Sequence, residues 1–510
     1  MPLFLTILAC DPMGPTIYNL DEESDKQLVG SCENSGFGTD FTIADLNGDS
    51  DLDIAVTAPY CDSKGALDFF YLDPESSISF ERSDETRSSD SVNSHMPEHA
   101  ITLYLQGFDQ DPVIIYASPY ALGESGQVCL ASISDLREDD FDFDTDEVCY
   151  AGEDIEGERD TYFGTSLRSL GDTNDDGYED FAISAIGANT VYVVLGADSL
   201  TDLQFYPIRA PEDDEGFGWG LASLGDLDGD GATEVAFGNP YSNRIYIVSL
   251  PSSQEQWSDI DNTLDLESDP SSIRLTIDGE RSDYLYVVGN IESDSVMDLN
   301  NNGKLDLIVA APDVDRDGLV GKGTVYVFYD VLYDLYTGAL DATNADITIS
   351  GVYDHEGLGN TDGIAVGDLD NDGKNDLVIA GRGYLDKDES YRGYAYVFMG
   401  RDLATDSTEA LSLSATSDAS FILSANNTDI LPVDFGALPI TRMAIRNVNS
   451  DGVADLIIAD SSASSDGDDV SYFAGFPDAG FVGASADDSS TEHNGVIHIF
   501  YGGASSLFAD

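Results

Sequence analysis

Six acidic nonapeptides recur in phase along this chain, and a repeat of that length restricts the fold more than any other feature. Side chains bearing oxygen fall at positions 1, 3, 5 and 9 of every copy. They are Asp45, Asn47, Asp49 and Asp53; Asp172, Asn174, Asp176 and Asp180; Asp226, Asp228, Asp230 and Glu234; Asp298, Asn300, Asn302 and Asp306; Asp368, Asp370, Asp372 and Asp376; and Asn447, Asn449, Asp451 and Asp455. Position 6 is Gly in five copies and Ser50 in the first. A short apolar run follows each copy, such as Leu305–Pro312 (LDLIVAAP), and then a second, such as Val191–Leu195 (VYVVL). Runs of this length bounded by Gly, Pro or Asp read as strands. Starts of successive copies lie 54 to 79 residues apart, except for one gap of 127 between Asp45 and Asp172. That gap holds strand-like runs at 101–106, 113–119 and 126–130, so it reads as a seventh copy without its acidic loop.

Seven units of about four strands predict an all-β, seven-bladed propeller with four-stranded blades. The expected blades span 30–83, 97–151, 160–209, 215–279, 284–351, 360–425 and 435–503, in one domain over 11–510. An open ring would expose a sheet edge. The last copy ends too early for its own outer strand, so Thr16–Asp21 is expected to complete that blade.

A Phe-Gly pair precedes the acidic loop at Phe37, Phe163, Phe217 and Phe435. With the nonapeptide, the Ala-Pro turn and the Val-Tyr-Val-Phe strand, it resembles the FG-GAP repeat over about residues 30–503. That resemblance implies the propeller found at the head of integrin α-subunits and in bacterial surface proteins. Thr16–Asp21 is similar to the segment with which integrin α-chains begin.

The loop chemistry points to calcium. Ca²⁺ takes six to eight oxygens, and a nonapeptide with oxygens at 1, 3, 5 and 9 can wrap one ion. An EF-hand would share these positions but needs a bidentate Glu at position 12 between helices. Here position 12 is Val56, Ile183, Phe237, Val309, Ile379 or Ile458, each inside an apolar run. Up to six structural Ca²⁺ ions are therefore expected. The loops at Asp226 and Asp368 carry four carboxylates, those at Asp45 and Asp172 three, and those at Asp298 and Asn447 two. The last pair is expected to bind weakest.

Asp plus Glu number 98 against 21 Lys plus Arg, a net charge of −77. Such a polyanion repels nucleic acid and anionic membranes. Its 26 Tyr and 23 Phe set it apart from a disordered acidic tail. Residues 1–10 form an apolar run closed by Ala-Cys, similar to a bacterial lipoprotein leader, with Cys10 as the acylation site and the one expected link to a membrane. The remaining four cysteines are expected to pair as Cys32–Cys61 and Cys129–Cys149 in an oxidising compartment. His95–His99 matches H-x-x-E-H, but Pro97 and the polar flanks deny it the helix a zinc site needs.

Loops on the face opposite the acidic nonapeptides are the expected ligand surface. Two aromatic-rich clusters stand out: Arg382, Tyr384, Tyr391 and Arg392, and Tyr472, Phe473, Phe476 and Phe481. Aromatic residues in polar loops suit recognition. The expected function is a non-catalytic, monomeric adhesion or recognition scaffold at the cell surface, binding protein or carbohydrate. Two alternatives stay open: a calcium-dependent propeller enzyme acting on polysaccharide, and a structural surface coat.

Overall fold

In the computed structural model, seven antiparallel sheets succeed one another around a ring. The structure describes residues 16–19, 24–30, 32, 35–61, 65–73, 80–88, 98–103, 112–136, 147–152, 160–211, 216–227, 229–260, 262–279, 286–287, 298–315, 318–330, 338–359, 363–385, 391–403, 411–425, 440–460 and 496–502. Blade 1 is built from Phe41–Ala44, Asp53–Ala58, Ala66–Phe70 and Glu85–Ser88. Blade 2, without an acidic nonapeptide, still has four strands: His99–Leu103, Val113–Ser118, Gln127–Ser132 and Val148–Ala151. Blade 3 runs from Phe163–Gly171 to Gln204–Arg209, and blade 4 from Gly220–Gly225 to Ile273–Asp278. Blade 5 runs from Tyr286–Val287 to Ile347–Ser350, and blade 6 from Ile364–Gly367 to Phe421–Ala425.

Blade 7 takes Ile440–Arg446, Asp455–Asp460 and Val496–Phe500 from the far part of the chain and a fourth strand from the near part. That fourth strand is Lys26–Val29, antiparallel to Val496–Phe500 with Lys26 opposite Ile499. The ring thus closes through an N-terminal strand, but Thr16–Asp21 is not the closing segment. Thr16–Asn19 instead lies parallel to Phe421–Ala425 on blade 6. Its sequence has the more strand-like look, but Lys26–Val29 alone brings its Leu28 into the seam core between blades 7 and 1.

The same device recurs around the ring. The link between the third and fourth strands of one blade lends a short parallel strand to the outer edge of the blade before it. Phe80–Arg82 joins Lys26–Val29, Leu264–Asp265 joins Gln204–Arg209, Gly338–Asp341 joins Ile273–Asp278, and Leu411–Ser414 joins Ile347–Ser350. Five sheets therefore have five strands rather than four. Blade 1 also ends beyond the expected boundary at 83, because 80–82 is lent to blade 7 and its own outer strand is Glu85–Ser88.

Each core cluster lies between two neighbouring blades. One, for example, joins Val191, Val193 and Ile208 of blade 3 to Phe217, Leu221, Val235 and Phe237 of blade 4. Middle strands such as Asp53–Ala58 are buried throughout, which explains their continuous apolar runs. In the outer Gln204–Arg209 only alternate residues, Tyr206 and Ile208, are buried.

The Phe-Gly pair explains the close approach of blades. Phe37, Phe163 and Phe217 are fully buried, and the glycines after them have φ of +85°, +97° and +84°. A Cβ on Gly218 would stand 2.4 Å from Val191 Cγ2 of blade 3, and one on Gly164 would stand 2.8 Å from Ala117 Cβ of blade 2. Blade 6 uses Leu358–Gly359 in the same role: Gly359 has φ +82° and a Cβ there would meet Val325 Cγ2 at 2.6 Å. Phe435 lies outside the described residues. Gly218→Ala is expected to destabilise by about 2–3 kcal/mol, from overpacking and left-handed strain together. A lowered denaturant midpoint at unchanged m-value would show it.

Candidate metal centres on one face of the ring

All six acidic nonapeptides join the first and second strands of their blades, so they share one face. Within each loop, positions 4 and 6 both adopt the left-handed backbone. Position 4 is Gly48, Asp175, Gly229, Asn301, Asn371 or Ser450, with φ between +54° and +82°. Position 6 includes Ser50 at φ +78°. Only Gly, Asn, Asp and Ser stand at position 4, residues that tolerate this conformation or turn readily. That was a readable signal which the oxygen pattern alone passes over.

These two reversals wrap the backbone around the first carboxylate. Asp45 accepts N–H bonds from Gly48 (2.7 Å) and Ser50 (2.9 Å), and Asp368 from Asp372 (3.0 Å) and Gly373 (2.9 Å). The ninth residue anchors the loop to its blade. In blade 6, Asp376 accepts from Leu369 N of the loop (2.8 Å) and from Gly400 N beyond the third strand (2.7 Å). Asp53, Asp180, Asp306 and Asp455 repeat this bridge, to Leu72, Gly196, Asp330 and Gly502. All five are buried. Burial pushes the carboxyls of Asp53, Asp306, Asp376 and Asp455 up to about 7 and that of Asp180 to about 6, against the lowering effect of their N–H bonds.

A set of hard oxygens held so close favours a hard cation. The carboxylates of Asp368, Asp370 and Asp376 offer oxygens all within 4.8 Å of one another. Where position 3 is Asn, its amide bonds to the acid at position 5: Asn47 to Asp49 (2.9 Å), Asn174 to Asp176 (2.9 Å) and Asn449 to Asp451 (3.2 Å). In blade 5, Asn302 accepts from Lys304 N at 2.9 Å, and in blade 7 Asn447 begins the loop. Neighbouring loops also touch. Asn375 donates to the carbonyl of Asp298, and Ser450 to Asp51. Asp228 lies outside the described residues.

The opposite face is aromatic. Tyr120 and Tyr162 meet edge-on at 5.8 Å, and Tyr162 Oη donates to Glu124 at 3.1 Å. Burial, with the charge of Glu98 behind it, raises the Tyr60 phenol, while burial pushes Glu98 up to about 7. Trp219 and Tyr241 form a second edge-on pair at 6.2 Å. Three of these tyrosines, Tyr60, Tyr162 and Tyr241, sit over glycines. A Cβ on Gly36 would meet Tyr60 at 2.8 Å, and one on Gly216 would meet Tyr241 at 2.2 Å. Blade 3 reverses the order, with Tyr162 before the Phe-Gly pair and Gly187 beyond the second strand.

Toward the axis on this face, Arg442 of blade 7 pairs with Asp40 of blade 1, both buried. Asp40 also accepts from Ala100 N (3.2 Å) and faces His99 Nδ1 (3.4 Å) of blade 2. His99 thus stands at the start of a strand rather than on a helix. His95 lies outside the described residues.

The structure joins Cys32 to Cys61 and Cys129 to Cys149, the latter directly opposite each other on the third and fourth strands of blade 2. Arg382, Tyr384, Tyr391 and Arg392 do not lie in a loop as expected. Gly381 is followed by a bulge that lets the ladder continue, so Asp376–Leu385 and Tyr391–Phe398 form a long hairpin pairing Tyr384 with Arg392. Cys10, Tyr472, Phe473, Phe476 and Phe481 lie outside the described residues.

Seven radial sheets, six of them carrying acidic hairpin loops on one face, define a β-propeller of repeated blades. Residues 37–67, 217–249 and 292–328 match the family model described as FG-GAP repeat. In these repeats the chain is similar to integrin alpha chains. It is 37% identical over 94 residues to integrin alpha-PS3 of Drosophila melanogaster, a match covering 17% of this chain and 8% of that one. Over 175 residues it is 30% identical to integrin alpha-5 of Xenopus laevis, covering 32% and 16%. Over 120 residues it is 28% identical to integrin alpha-6 of Homo sapiens, covering 23% and 9%. The chain thus matches only a small part of the length of these relatives.

Proposed function

We propose that this propeller is a non-catalytic, calcium-stabilised recognition scaffold of the cell surface. It binds protein or carbohydrate through the face opposite its acidic loops. The observation that carries this reading is the division of labour between the two faces. The acidic loops gather carboxylates suited to Ca²⁺ and tie strands together through their ninth residues. The other face presents Tyr60, Tyr120, Tyr162 and Tyr241, each ring seated on a glycine or edge-on against another ring. Seated rings lose little freedom on binding, which favours recognition. The two disulfides are consistent with an extracellular location. The likeness to integrin alpha chains supports adhesion as the setting.

The test is a screen of purified extracellular-matrix proteins and glycans, with wild type and a Tyr120→Ala/Tyr162→Ala variant. A bound partner that the variant loses at least tenfold, at unchanged melting temperature, supports the reading. Equal binding by the variant would move the ligand surface elsewhere. New reducing ends released from a polysaccharide would replace the scaffold with an enzyme.

A further inference from the structure

Blade 4 departs from the four loops with Asn at position 3 in three ways, and from blade 6 in two, and these converge on one side chain. Its third position is Asp228, which has no N–H to give to the fifth residue as Asn47, Asn174 and Asn449 do. Its ninth position is Glu234, where the other five copies have Asp. One Glu234 oxygen accepts from Leu227 N at 2.9 Å, as in the other loops. The other does not repeat the bridge to the end of the third strand; it lies 3.9 Å from Arg274 Nε. Arg274 stands on the outer strand Ile273–Asp278, and its Nη2 pairs with Asp230. The guanidinium therefore reaches both the fifth and the ninth positions of the loop. It pairs with Asp230 where Asn47, Asn174 and Asn449 give their loops an amide, and its Nε stands at ion-pair rather than hydrogen-bond distance from Glu234.

We propose that Arg274 is a tethered cation that holds the blade 4 loop in shape without a divalent ion and lowers that loop's affinity for calcium. The inference rests on the reading of the nonapeptides as calcium loops. By carboxylate number the loops of blades 4 and 6 rank together. At the four oxygen-bearing positions, Arg274 offsets one of blade 4's four carboxylates and leaves −3, the value at those positions in blades 1 and 3, whereas blade 6 keeps −4 there. Blade 6 has the same Asp at position 3 but retains Asp376 and its backbone bonds, and its carboxylates gather closely. A guanidinium stays charged at any ordinary pH, so it acts as a fixed counter-ion. An incoming Ca²⁺ must work against it or displace it.

The full chain with Arg274→Gln, Arg274→Lys and Asp226→Asn tests this by titration with calcium against a chromophoric chelator, and by thermal unfolding in EDTA. Arg274→Gln is expected to tighten one calcium site about tenfold. Adding Asp226→Asn should abolish the gain. In EDTA the same variant should melt below wild type, with the difference gone in excess calcium; Arg274→Lys should lie between. An unchanged set of affinities in Arg274→Gln overturns the proposal, as does an unchanged melting temperature in EDTA. Failure of the calcium reading itself would look different. The wild type would then bind no calcium, whereas the EDTA comparison would still report whether Arg274 supports the loop.

Discussion

Removing divalent cations is expected to lower the melting temperature of this protein by about 10 °C or more. A ligand that binds only the folded state adds about 2.7 kcal/mol of stability per site at a hundred times its dissociation constant. Several such sites acting on one cooperative ring shift unfolding by at least that much. The metal-free protein should also show an inverted pH dependence. Asp53, Asp306, Asp376 and Asp455 are pushed up to about 7 and Asp180 to about 6, far above the usual carboxylate value of 3.8. Between those values the folded chain holds more protons than the unfolded chain. Stability is thus highest near pH 4 and falls as pH rises toward 7, by at most about 1.4 kcal/mol per pH unit for each group. His498 works the other way, because burial pushes it down to about 4 and the folded state resists its protonation between pH 6.5 and 4. One histidine opposes these five carboxyls and that of Glu98, so the carboxyls decide the sign. Calorimetry in EDTA should give a higher melting temperature at pH 5 than at pH 7.5. Calcium should remove most of that slope. A calcium-independent melting temperature, or a metal-free protein that is most stable at pH 7.5, would refute the account of the loops.

Arg442→Met is expected to cost about 3–5 kcal/mol. Arg442 and Asp40 have side chains 5% and 3% exposed, and they join blade 7 to blade 1 across the seam where the two parts of the chain meet. The guanidinium also lies 5.4 Å over the Phe41 ring. Methionine keeps much of that packing but leaves Asp40 charged, buried and short of its main partner. Much of the loss should therefore be restored by adding Asp40→Asn, since removing both charges avoids the uncompensated one. Urea denaturation of the two single variants and the double variant gives the coupling. A single variant within 1 kcal/mol of wild type would show that the pair does not secure the closure.

Much of this architecture was legible because the acidic loops impose a strict order on side chains. Oxygens at four fixed positions before an apolar run identify six hairpins, and the doubled gap identifies the seventh blade. The closing strand was misread for a physical reason. Lys26–Val29 opens with a lysine that is buried in the structure, whereas Thr16–Asn19 looks more like a core strand and lies at an edge. The lent strands were not legible at all. Leu264–Asp265 and Gly338–Asp341 are too short and too polar to show a period of two. Leu358–Gly359 is hidden in the sequence because a leucine fills the seam where blades 1, 3 and 4 have phenylalanine. Arg274 is 44 residues from Asp230, and only the return of the outer strand brings them together.

The lent strands have a consequence for how such a ring can be altered. With each borrowed edge, one unit overlaps the unit before it like links sharing a pin. Excising any lending unit strips support from its neighbour as well, so shortening the ring by one should damage two sheets rather than one. Thr16–Asn19 occupies its place on blade 6 although the chain is interrupted between it and Phe500. The overlap therefore follows position in the circle rather than continuity of the polypeptide. Rearranged chains that open at an acidic hairpin instead, with the old ends linked, keep every overlap and should assemble the same ring.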